Sequence, residues 1–580
     1  MGPDDGTGRQ RGPLKIARTD HVSSDGHGGP ARSFTSTGIA FHHPVAFWAG
    51  TLAIISGVAL HLPDFAVAGD RGYRLAGMPM SGLMLLGMVL IVAGILLAGY
   101  GLFPRREVLG VHRSLEGLHF RAIDEARLTP AHWGLLWVLG IALVVDVMKP
   151  ATLGFVVPGS KSEYGLTTAQ VALLPLFALA GTTIGSVLWG VLADRLGRRA
   201  SILLASLFFI GTAICGFMPS FAINLFMCFL MGLAAGGMLP IVYALMAESV
   251  PASKRGWLVV LHGGLGTVGG YLAAAGFAAL LEPHFSWRIL WFLNLPTGLL
   301  ILVLNRWIPE SPRFLLEHGR TGEAQQVMAR YGVVLERDVH EAVAGNGEGE
   351  FTSWRRLRVL FRRPYVSQTM IVGSYGVGWG LVNWGFITFV PTLLRDNYGY
   401  DAGTSSGLLF LSALVAVPGI FVVAYLYGRS SKKTMILYAL GTVAVLLGFV
   451  LIDPATLARE NLLLGALMVG LLVSSSGVIS MLSPYTAEVF PTHLRGTGSG
   501  LAAGSSKLGG IVGPPVAAAV ITLSAGLAAP ALLVAAPMAL AATLVAAKGI
   551  ETTGRRLEDI QVSMASGEGR TAPAAKSTSD

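Results

Sequence analysis

Charged residues and cysteines are both scarce in this chain. Asp, Glu, Lys and Arg make up 13% of its 580 residues, against roughly 25% in an ordinary soluble domain. The hydrophobic set reaches 53% and the mean hydropathy is +0.62, so water is not the main solvent of this protein. The only cysteines, Cys215 and Cys228, lie within apolar stretches. This excludes a disulfide framework, a thiolate metal site and thiol redox chemistry.

The motifs of several other chemistries are also missing. The sequence has no Gly-x-x-x-x-Gly-Lys-Ser/Thr phosphate loop, no metal-ligand cluster and no nucleophile elbow. Gly264 to Gly269 fits a dinucleotide fingerprint formally, but it lies inside an apolar span with no strand before it, so we interpret its glycines as helix-packing residues. The net charge of +9 is spread over alternate loops and both tails rather than along one face. We therefore expect no enzyme activity, cofactor, metal or nucleic-acid partner.

Apolar runs long enough to cross a bilayer recur along the chain. A span needs about 20 predominantly apolar residues, and short polar segments separate stretches of that kind. The sequence therefore predicts an all-α polytopic membrane protein with fourteen transmembrane helices. They are predicted at 44–64, 79–103, 132–158, 168–193, 200–219, 222–247, 256–281, 288–308, 366–394, 404–427, 434–452, 462–487, 497–522 and 528–547.

Positive charge alternates from one connection to the next. Bases gather in every second connection, for example at Arg195 and Lys254, whereas the others hold only scattered bases. Examples of the scattered bases are Lys161, Arg288 and Arg395. By the positive-inside rule, the first set of connections and both termini are cytoplasmic. We predict a multi-pass protein of the plasma (inner) membrane.

The spans and loops divide the chain into seven predicted parts. They are a disordered cytoplasmic tail at 1–43, two helices at 44–103, a cytoplasmic linker at 104–131, a six-helix bundle at 132–308, a central cytoplasmic linker with short amphipathic helices at 309–365, a second six-helix bundle at 366–547, and a disordered cytoplasmic tail at 548–580.

An internal repeat relates the two predicted bundles. The segment around Glu248 and Arg255 matches the segment around Glu488 and Arg495 at Ala, Glu, Pro, Arg and Gly, with an offset of 240 residues. Six predicted helices separate the copies, so both lie on the same side of the membrane, as parallel repeats require. Two pseudo-symmetric halves predict a solute cavity near the midplane, at their interface.

A charged, glycine-containing motif stands between the second and third helices of the first bundle. Its residues are Gly190, Asp194, Arg195, Gly197, Arg198 and Arg199. The glycines allow a tight turn and close helix approach, and the charges can pair across a closing cytoplasmic seam. The motif resembles the signature of the major facilitator superfamily. This resemblance covers about residues 132–547 and implies the major facilitator fold of two six-helix bundles, here with two additional N-terminal helices.

A partial copy of the motif follows the second helix of the other bundle. It keeps Arg429, Lys432 and Lys433, but Gly428 stands where Asp194 would be. We interpret this copy as positive-inside anchoring.

Two further segments are similar to one branch of that superfamily. Pro309 to Leu315 looks like the linker motif of the branch that holds sugar porters, niacin and aromatic-acid proton symporters and organic-anion transporters, and Asn383 to Leu394 looks like its seventh helix. The resemblance implies a cytoplasmic charge network that holds one gate state. It joins the Asp194 loop to Glu248, Arg255, Glu488 and Arg495.

Two ionisable residues fall well inside the first core helix, where charge is costly and marks function. Asp146 and Lys149 are three residues apart and share a helix face, so they can form an ion pair. The related symporters carry Asp-x-x-Asp here, so Lys149 departs from their proton-coupling pattern. We predict that Asp146 is the coupling carboxylate, since burial favours the protonated form. The alternative is a structural pair that never titrates.

Five more residues are candidates for the solute cavity. Lys507 lies where organic-anion and aromatic-acid members of the superfamily commonly place a cation; otherwise it snorkels to the cytoplasmic surface. Trp379, Asn383 and Trp384 on the seventh core helix can stack on and hydrogen-bond to an aromatic solute, or they are packing and interface anchors. His262 relays protons or is a satisfied packing residue.

Together these features predict a secondary active transporter that works by alternating access. We favour proton-coupled uptake of a small organic anion, with an aromatic anion as the leading case. The expected partners are the substrate, protons and the lipid bilayer, and the expected state is a monomer. A sugar or polyol carrier and a drug exporter are rivals of the same fold, although the fifth core helix has Gly266-Thr267 in place of the Gly-Pro pairing of antiporters. A rival of another class is a non-transporting membrane receptor or scaffold.

Overall fold

The structure, a computed structural model, describes residues 43–103, 128–318, 320–331, 353–523 and 527–553 together with 555 and 560. Regular structure in these residues is helical throughout. Fourteen of the described helices are long and apolar enough to cross a membrane, which confirms the predicted number. Residues 1–42 of the predicted N-terminal tail, most of the 104–131 linker and the end of the C-terminal tail lie outside the described residues.

The fourteen spanning helices are numbered in chain order. The first two are α1 (Pro44–Arg71) and α2 (Gly82–Leu102). The N-terminal bundle contains α3 (Pro130–Tyr164), α4 (Thr168–Leu196), α5 (Arg198–Phe217), α6 (Phe221–Met246), α7 (Gly256–Phe285) and α8 (Ile289–Trp307). The C-terminal bundle contains α9 (Val366–Tyr398), α10 (Ala402–Arg429), α11 (Ser431–Leu451), α12 (Asn461–Val489), α13 (Leu494–Leu523) and α14 (Ala528–Lys548). Short helices Pro312–Glu317, Thr321–Arg330 and Ser353–Leu360 lie in the described part of the central linker.

The two bundles meet along four main helix pairs. Helix α7 packs on α10 and on α12, α4 packs on α13, and the outer part of α3 packs on α9. We call the end of the bundle where α3 ends and α4 begins the outer side, and the opposite end, which the charge pattern predicts to be cytoplasmic, the inner side. All four pairs join the N-terminal to the C-terminal bundle, so they form the seam at which a cavity would open.

Helix α9 is not a continuous α-helix. After Val366–Gly380 the chain forms a π-helical segment, Leu381–Phe386, and a 3₁₀ turn, Ile387–Phe389, before the outer segment Val390–Tyr398. π-helical insertions are rare and occur frequently at functional sites. This break coincides with the segment in which the sequence predicts substrate contacts.

The two N-terminal helices form a tight antiparallel hairpin. A Cβ atom on Gly50 would lie 2.5 Å from the carbonyl oxygen of Gly94, and one on Gly57 would lie 2.6 Å from that of Gly87. Glycine is therefore required for the two backbones to approach this closely. The hairpin covers α5, against which it places Ile91.

The predicted disordered tail at 548–580 is wrong for its first residues. Ile550 N–H donates to the hydroxyl of Tyr485 at 3.1 Å, and the hydroxyl of Thr552 donates to Glu488 at 2.6 Å. The sequence predicted a free tail because these residues are polar and follow the last predicted span. In the structure, their backbone and hydroxyl groups form hydrogen bonds with residues at the inner end of the C-terminal bundle.

We expect Gly50→Ala to destabilise the protein, because the added methyl group must push α1 and α2 apart. Overpacking of this kind costs about 1–3 kcal/mol. A thiol-reactive dye that reports exposure of the buried Cys215 and Cys228 would show a lower unfolding temperature in detergent. Gly99→Ala on α2 is the matched control, since a Cβ there meets nothing within 4 Å. Equal unfolding temperatures for the two variants would contradict the expectation.

Candidate functional site

Asp146 lies near the middle of α3 and is only 4% exposed. Its Oδ1 atom has no hydrogen-bond partner among the described residues. The predicted ion pair with Lys149 is wrong for this conformation: no nitrogen–oxygen contact within 4 Å joins the two among the described ion pairs. The Lys149 ammonium lies instead 2.8 Å from the centroid of the Phe209 ring on α5. Its four-carbon chain allows it to reach this aromatic face, where a cation–π contact replaces the carboxylate.

Lys507 lies at the seam between the two bundles. Its ammonium donates a hydrogen bond to the backbone carbonyl of Thr182 at 3.1 Å. Lys507 is near the middle of α13, and Thr182 is near the middle of α4, so the alternative of a lysine snorkelling to the surface is wrong. Asp146 lies within electrostatic range of both Lys149 and Lys507. The charge of one carboxylate is therefore shared between two ammonium groups at this depth.

Aromatic side chains of α9 border the same part of the seam. Trp384 is 8% exposed, and its ring lies beside Gly510, one helical turn after Lys507 on α13. Leu179 of α4 lies against the same glycine. Trp379 has a buried indole N–H without a described partner, while the Asn383 carbonyl accepts a bond within the helix break. The structure thus brings Trp384 close to Lys507 at the interface of the bundles.

Unpaired polar atoms recur in the middle of several helices. Buried groups of this kind are uncommon in folded proteins. Besides Asp146 on α3, the described residues include the hydroxyl of Tyr271 on α7, the indole of Trp379 on α9 and the hydroxyl of Ser475 on α12. Each lies close to the midpoint of its helix. A polar solute between the bundles would supply partners for such atoms.

His262 is not part of this group. One ring nitrogen lies 2.8 Å from the carbonyl of Leu258 and the other 3.1 Å from that of Leu136 on α3. Leu136 precedes Asp146 by ten residues, or about 15 Å along the helix. The contacts of His262 therefore agree with a packing residue that ties α7 to α3.

The charged loop between α4 and α5 is organised by an acid from the central linker. Glu310 accepts hydrogen bonds from the backbone N–H groups of Arg198 at 2.7 Å and Arg199 at 3.2 Å. Gly197 has φ +96° and a Cβ there would collide with Glu310, so only glycine suits the turn. Glu310 belongs to the segment that sequence comparison identified as a linker motif, but its partners were not foreseen.

The remaining motif residues are less constrained. Asp194 forms an ion pair with Arg198 at 3.4 Å, although its side chain is 76% exposed. Arg195 is exposed. A Cβ at Gly190 would meet nothing within 4 Å, so the close helix approach predicted there is absent from this conformation. Exposed ion pairs contribute little to stability, which leaves Glu310 as the main organiser of this loop.

The second half repeats this arrangement with different chemistry. Glu551 accepts from the backbone N–H of Ser431 at 2.8 Å, at the start of α11, the third helix of its bundle. Glu551 follows Glu310 by 241 residues, one more than the offset of the sequence repeat. Extending that repeat to the C-terminus is the signal that could have revealed both acids.

Glu488 does not contact the Asp194 loop. Its carboxylate accepts hydrogen bonds from the hydroxyls of Tyr427 at 2.9 Å and Thr552 at 2.6 Å. Both hydroxyls bind the same oxygen, Oε2, while Oε1 lies beside Gly256 of α7, so the charge network at Glu488 stays a prediction. Arg495 is half-buried and makes contacts at this end. The side chains of its predicted partners lie outside the described residues; these are Glu248 and Arg255.

Ion pairs close the outer side of the seam. Arg395 on the outer segment of α9 forms a bidentate pair with Glu282 of α7 at 2.8 and 2.7 Å. The next residue, Asp396, pairs with Lys161 at the end of α3 at 2.5 Å. Each pair joins the two bundles, and we call these four residues the outer lock. The sequence suggested only scattered bases here, because their acidic partners are more than 100 residues away along the chain.

Comparison with known proteins gives consistent matches. The family model of the Major Facilitator Superfamily matches residues 139–514. The niacin transporter NiaP of Acinetobacter baylyi is 27% identical over 446 residues, which cover 76% of this chain and 98% of that protein. The 4-hydroxybenzoate transporter PcaK of the same organism is 27% identical over 418 residues, 69% of this chain and 87% of that protein. An inward-open, partially occluded structure of the xylose transporter XylE from E. coli covers 74% of this chain and 100% of that one, with TM-score 0.59 and 15% identity.

We expect Glu310→Gln to weaken the inner loop, because an amide offers one acceptor oxygen to donors that now share two. Leaving a buried donor unpaired costs about 1–3 kcal/mol, so the unfolding temperature should fall by several degrees. The matched control is Glu323→Gln, which removes an acid from an exposed pair with Arg320.

The pH dependence of the same variant gives a second readout. Burial raises the pKa of Glu310, against the opposing effect of its backbone hydrogen bonds. The Glu310 carboxyl therefore keeps its proton to a higher pH in the folded protein than in the unfolded chain. Its contribution to stability falls as the pH rises above the pKa of glutamate in the unfolded chain. The stability advantage of wild type over Glu310→Gln should therefore shrink as the pH rises from about 4.5. A pH-independent difference would contradict it.

Proposed function

Because this chain belongs to the Major Facilitator Superfamily, it is a multi-pass membrane transporter, and we propose that it takes up a small aromatic or other organic anion together with protons. We propose further that it does so by alternating access in the plasma membrane, with both termini cytoplasmic. The observation that carries the proposal is the Lys507 ammonium, which reaches across the seam at mid-membrane depth.

The charge balance around Lys507 supports an anionic substrate. Its only described hydrogen bond is to the neutral carbonyl of Thr182, and Asp146 must balance both Lys507 and Lys149. An ammonium in the membrane is costly without a counter-ion. A substrate carboxylate would supply that counter-ion through a charge-assisted hydrogen bond, and Trp384 one turn away would present a ring for stacking. NiaP and PcaK, by their names, carry niacin and 4-hydroxybenzoate, which both combine a ring with a carboxylate.

The same charges suggest how protons are coupled to uptake. When Asp146 is ionised, it offsets part of the positive charge that attracts the substrate. When it binds a proton, the two lysines are left with a net charge that only an anion can balance. Each ligand therefore favours binding of the other, and this coupling is reciprocal. Co-binding of a proton and an anion is the requirement for symport.

We expect Lys507→Ala to reduce uptake of radiolabelled nicotinate and benzoate into proteoliposomes by roughly 100-fold, the effect of losing a buried charge partner worth about 2–5 kcal/mol. Lys507→Arg should keep part of the activity, and Lys433→Ala, at an exposed lysine in the first turn of α11, is the matched control. Nicotinamide and benzamide, which lack the carboxylate, should not compete. Wild-type uptake by Lys507→Ala would remove the proposed anion site.

A separate measurement tests Asp146. With Asn in place of Asp146 the side chain at this position stays neutral at every pH, so accumulation driven by an imposed pH gradient should be lost while exchange of substrate across the membrane persists. Uptake that responds neither to the gradient nor to Asp146→Asn would overturn the coupling assignment. Flux of xylose or of cationic drugs in place of acids would favour a carrier or exporter of the same fold. Ligand binding without any flux would favour a receptor.

A further inference from the structure

The loop between the two N-terminal helices docks into the core at a buried carboxylate. Glu163, in the last turn of α3, accepts hydrogen bonds from the backbone N–H groups of Leu75 at 2.9 Å and Ala76 at 3.1 Å. The same carboxylate accepts from the indole of Trp287 at 2.9 Å and pairs with Arg288 at 2.7 Å. The Glu163 side chain is 5% exposed and that of Arg288 is fully buried.

Arg288 extends this site to two further connections of the bundle. Its guanidinium donates to the carbonyls of Gly216 at 2.8 Å and Met218 at 3.0 Å, and to the hydroxyl of Tyr164 at 3.1 Å. A buried ion pair is stable only when its remaining donors and acceptors are also satisfied. The hairpin loop supplies two of those donors, so the site is incomplete without the N-terminal helices.

The anchored turn also carries half of the outer lock. Lys161 and Glu163 are two residues apart in the final turn of α3, so their side chains leave the helix on roughly opposite sides. Glu163 faces the hairpin loop and α8, whereas Lys161 reaches Asp396 of the C-terminal bundle. The turn is thus held by the N-terminal bundle on one side and by the partner bundle on the other.

The end of α3 needs such an anchor. Pro150 and Pro158 lie inside the helix, and each removes one backbone hydrogen bond and favours a bend. After Pro158, the last turn is joined to the rest of α3 by a weakened ladder. Its position, and that of Lys161, is then determined by contacts outside the helix.

We propose that Glu163, held by the loop of the N-terminal hairpin, is a positioning residue for the outer lock, and that the two additional helices thereby favour the outer-closed state. This inference rests on the proposed alternating access. It assigns the hairpin a part in gating, which acts through Lys161 rather than through the substrate.

Spin labels at two exposed outer positions, Ser162→Cys and Asn397→Cys, would measure the distance across the seam in the full chain. The native cysteines are buried, so labelling is selective. Glu163→Gln should lower the ratio of closed to open populations by about tenfold, the equivalent of one hydrogen bond to a charged group. With Lys161→Ala already present, Glu163→Gln should cause no further shift. Glu323→Gln is the control for loss of an acid and should leave the distances unchanged.

Ala76→Pro offers the same test with a smaller change, since it removes one backbone donor and leaves the Glu163–Arg288 pair in place. It applies equally should the Glu163→Gln protein fail to fold. A shift of the same size with and without Lys161, or no shift at all, would overturn the proposal. These distances need no substrate, so failure of the proposed transport activity and failure of this inference give different results.

Discussion

The cost of placing an ionised side chain in the bilayer is the constraint on which this structure depends. At the outer end the protein meets it by pairing. Glu163 and Arg288 satisfy one another, Glu163 accepts from the α1–α2 connection, and Arg288 donates to the α5–α6 connection. At mid-membrane depth the pairing is incomplete, since Asp146 keeps an unpartnered oxygen and Lys149 rests on an aromatic face. The outer pair is thus satisfied within the protein, whereas Asp146 is incompletely paired at the depth where Lys507 crosses the seam and a solute is proposed to bind.

At the inner side, the two halves build equivalent helix caps, but the residues around each cap differ. In each, a carboxylate from the segment after the sixth helix caps the start of the third helix, through Glu310 in one bundle and Glu551 in the other. The N-terminal loop adds arginines, whereas the C-terminal copy relies on the hydroxyls of serine, threonine and tyrosine. The two halves therefore share the capping carboxylate but not the charge of the residues around it.

The sequence predicted well those features that depend on residues close together in the chain. Fourteen helices follow from runs of apolar residues, and the Gly197 turn follows from a ten-residue motif, because each depends on neighbours in the chain. Contacts that depend on the packing of distant helices were not predictable in this way. The partners of Lys161 and Arg395 are 235 and 113 residues away, and helix periodicity, which placed Lys149 beside Asp146, cannot determine the direction of a flexible side chain. The first residues of the C-terminal tail were misjudged for a similar reason, since their partners belong to other helices.

The docking of the N-terminal hairpin bears on the order in which the protein is assembled. Helices α1 and α2 leave the ribosome first, and their glycine contacts allow them to pair at once. The groups that receive their loop are made later: Glu163 follows Leu75 by 88 residues and Arg288 follows it by 213. The hairpin can pack on α5 earlier, but its loop site is completed only when Arg288, directly before α8, has been made. Biogenesis of this transporter thus has a late docking step, and an interruption of synthesis before α8 would leave the loop without the buried ion pair that holds it.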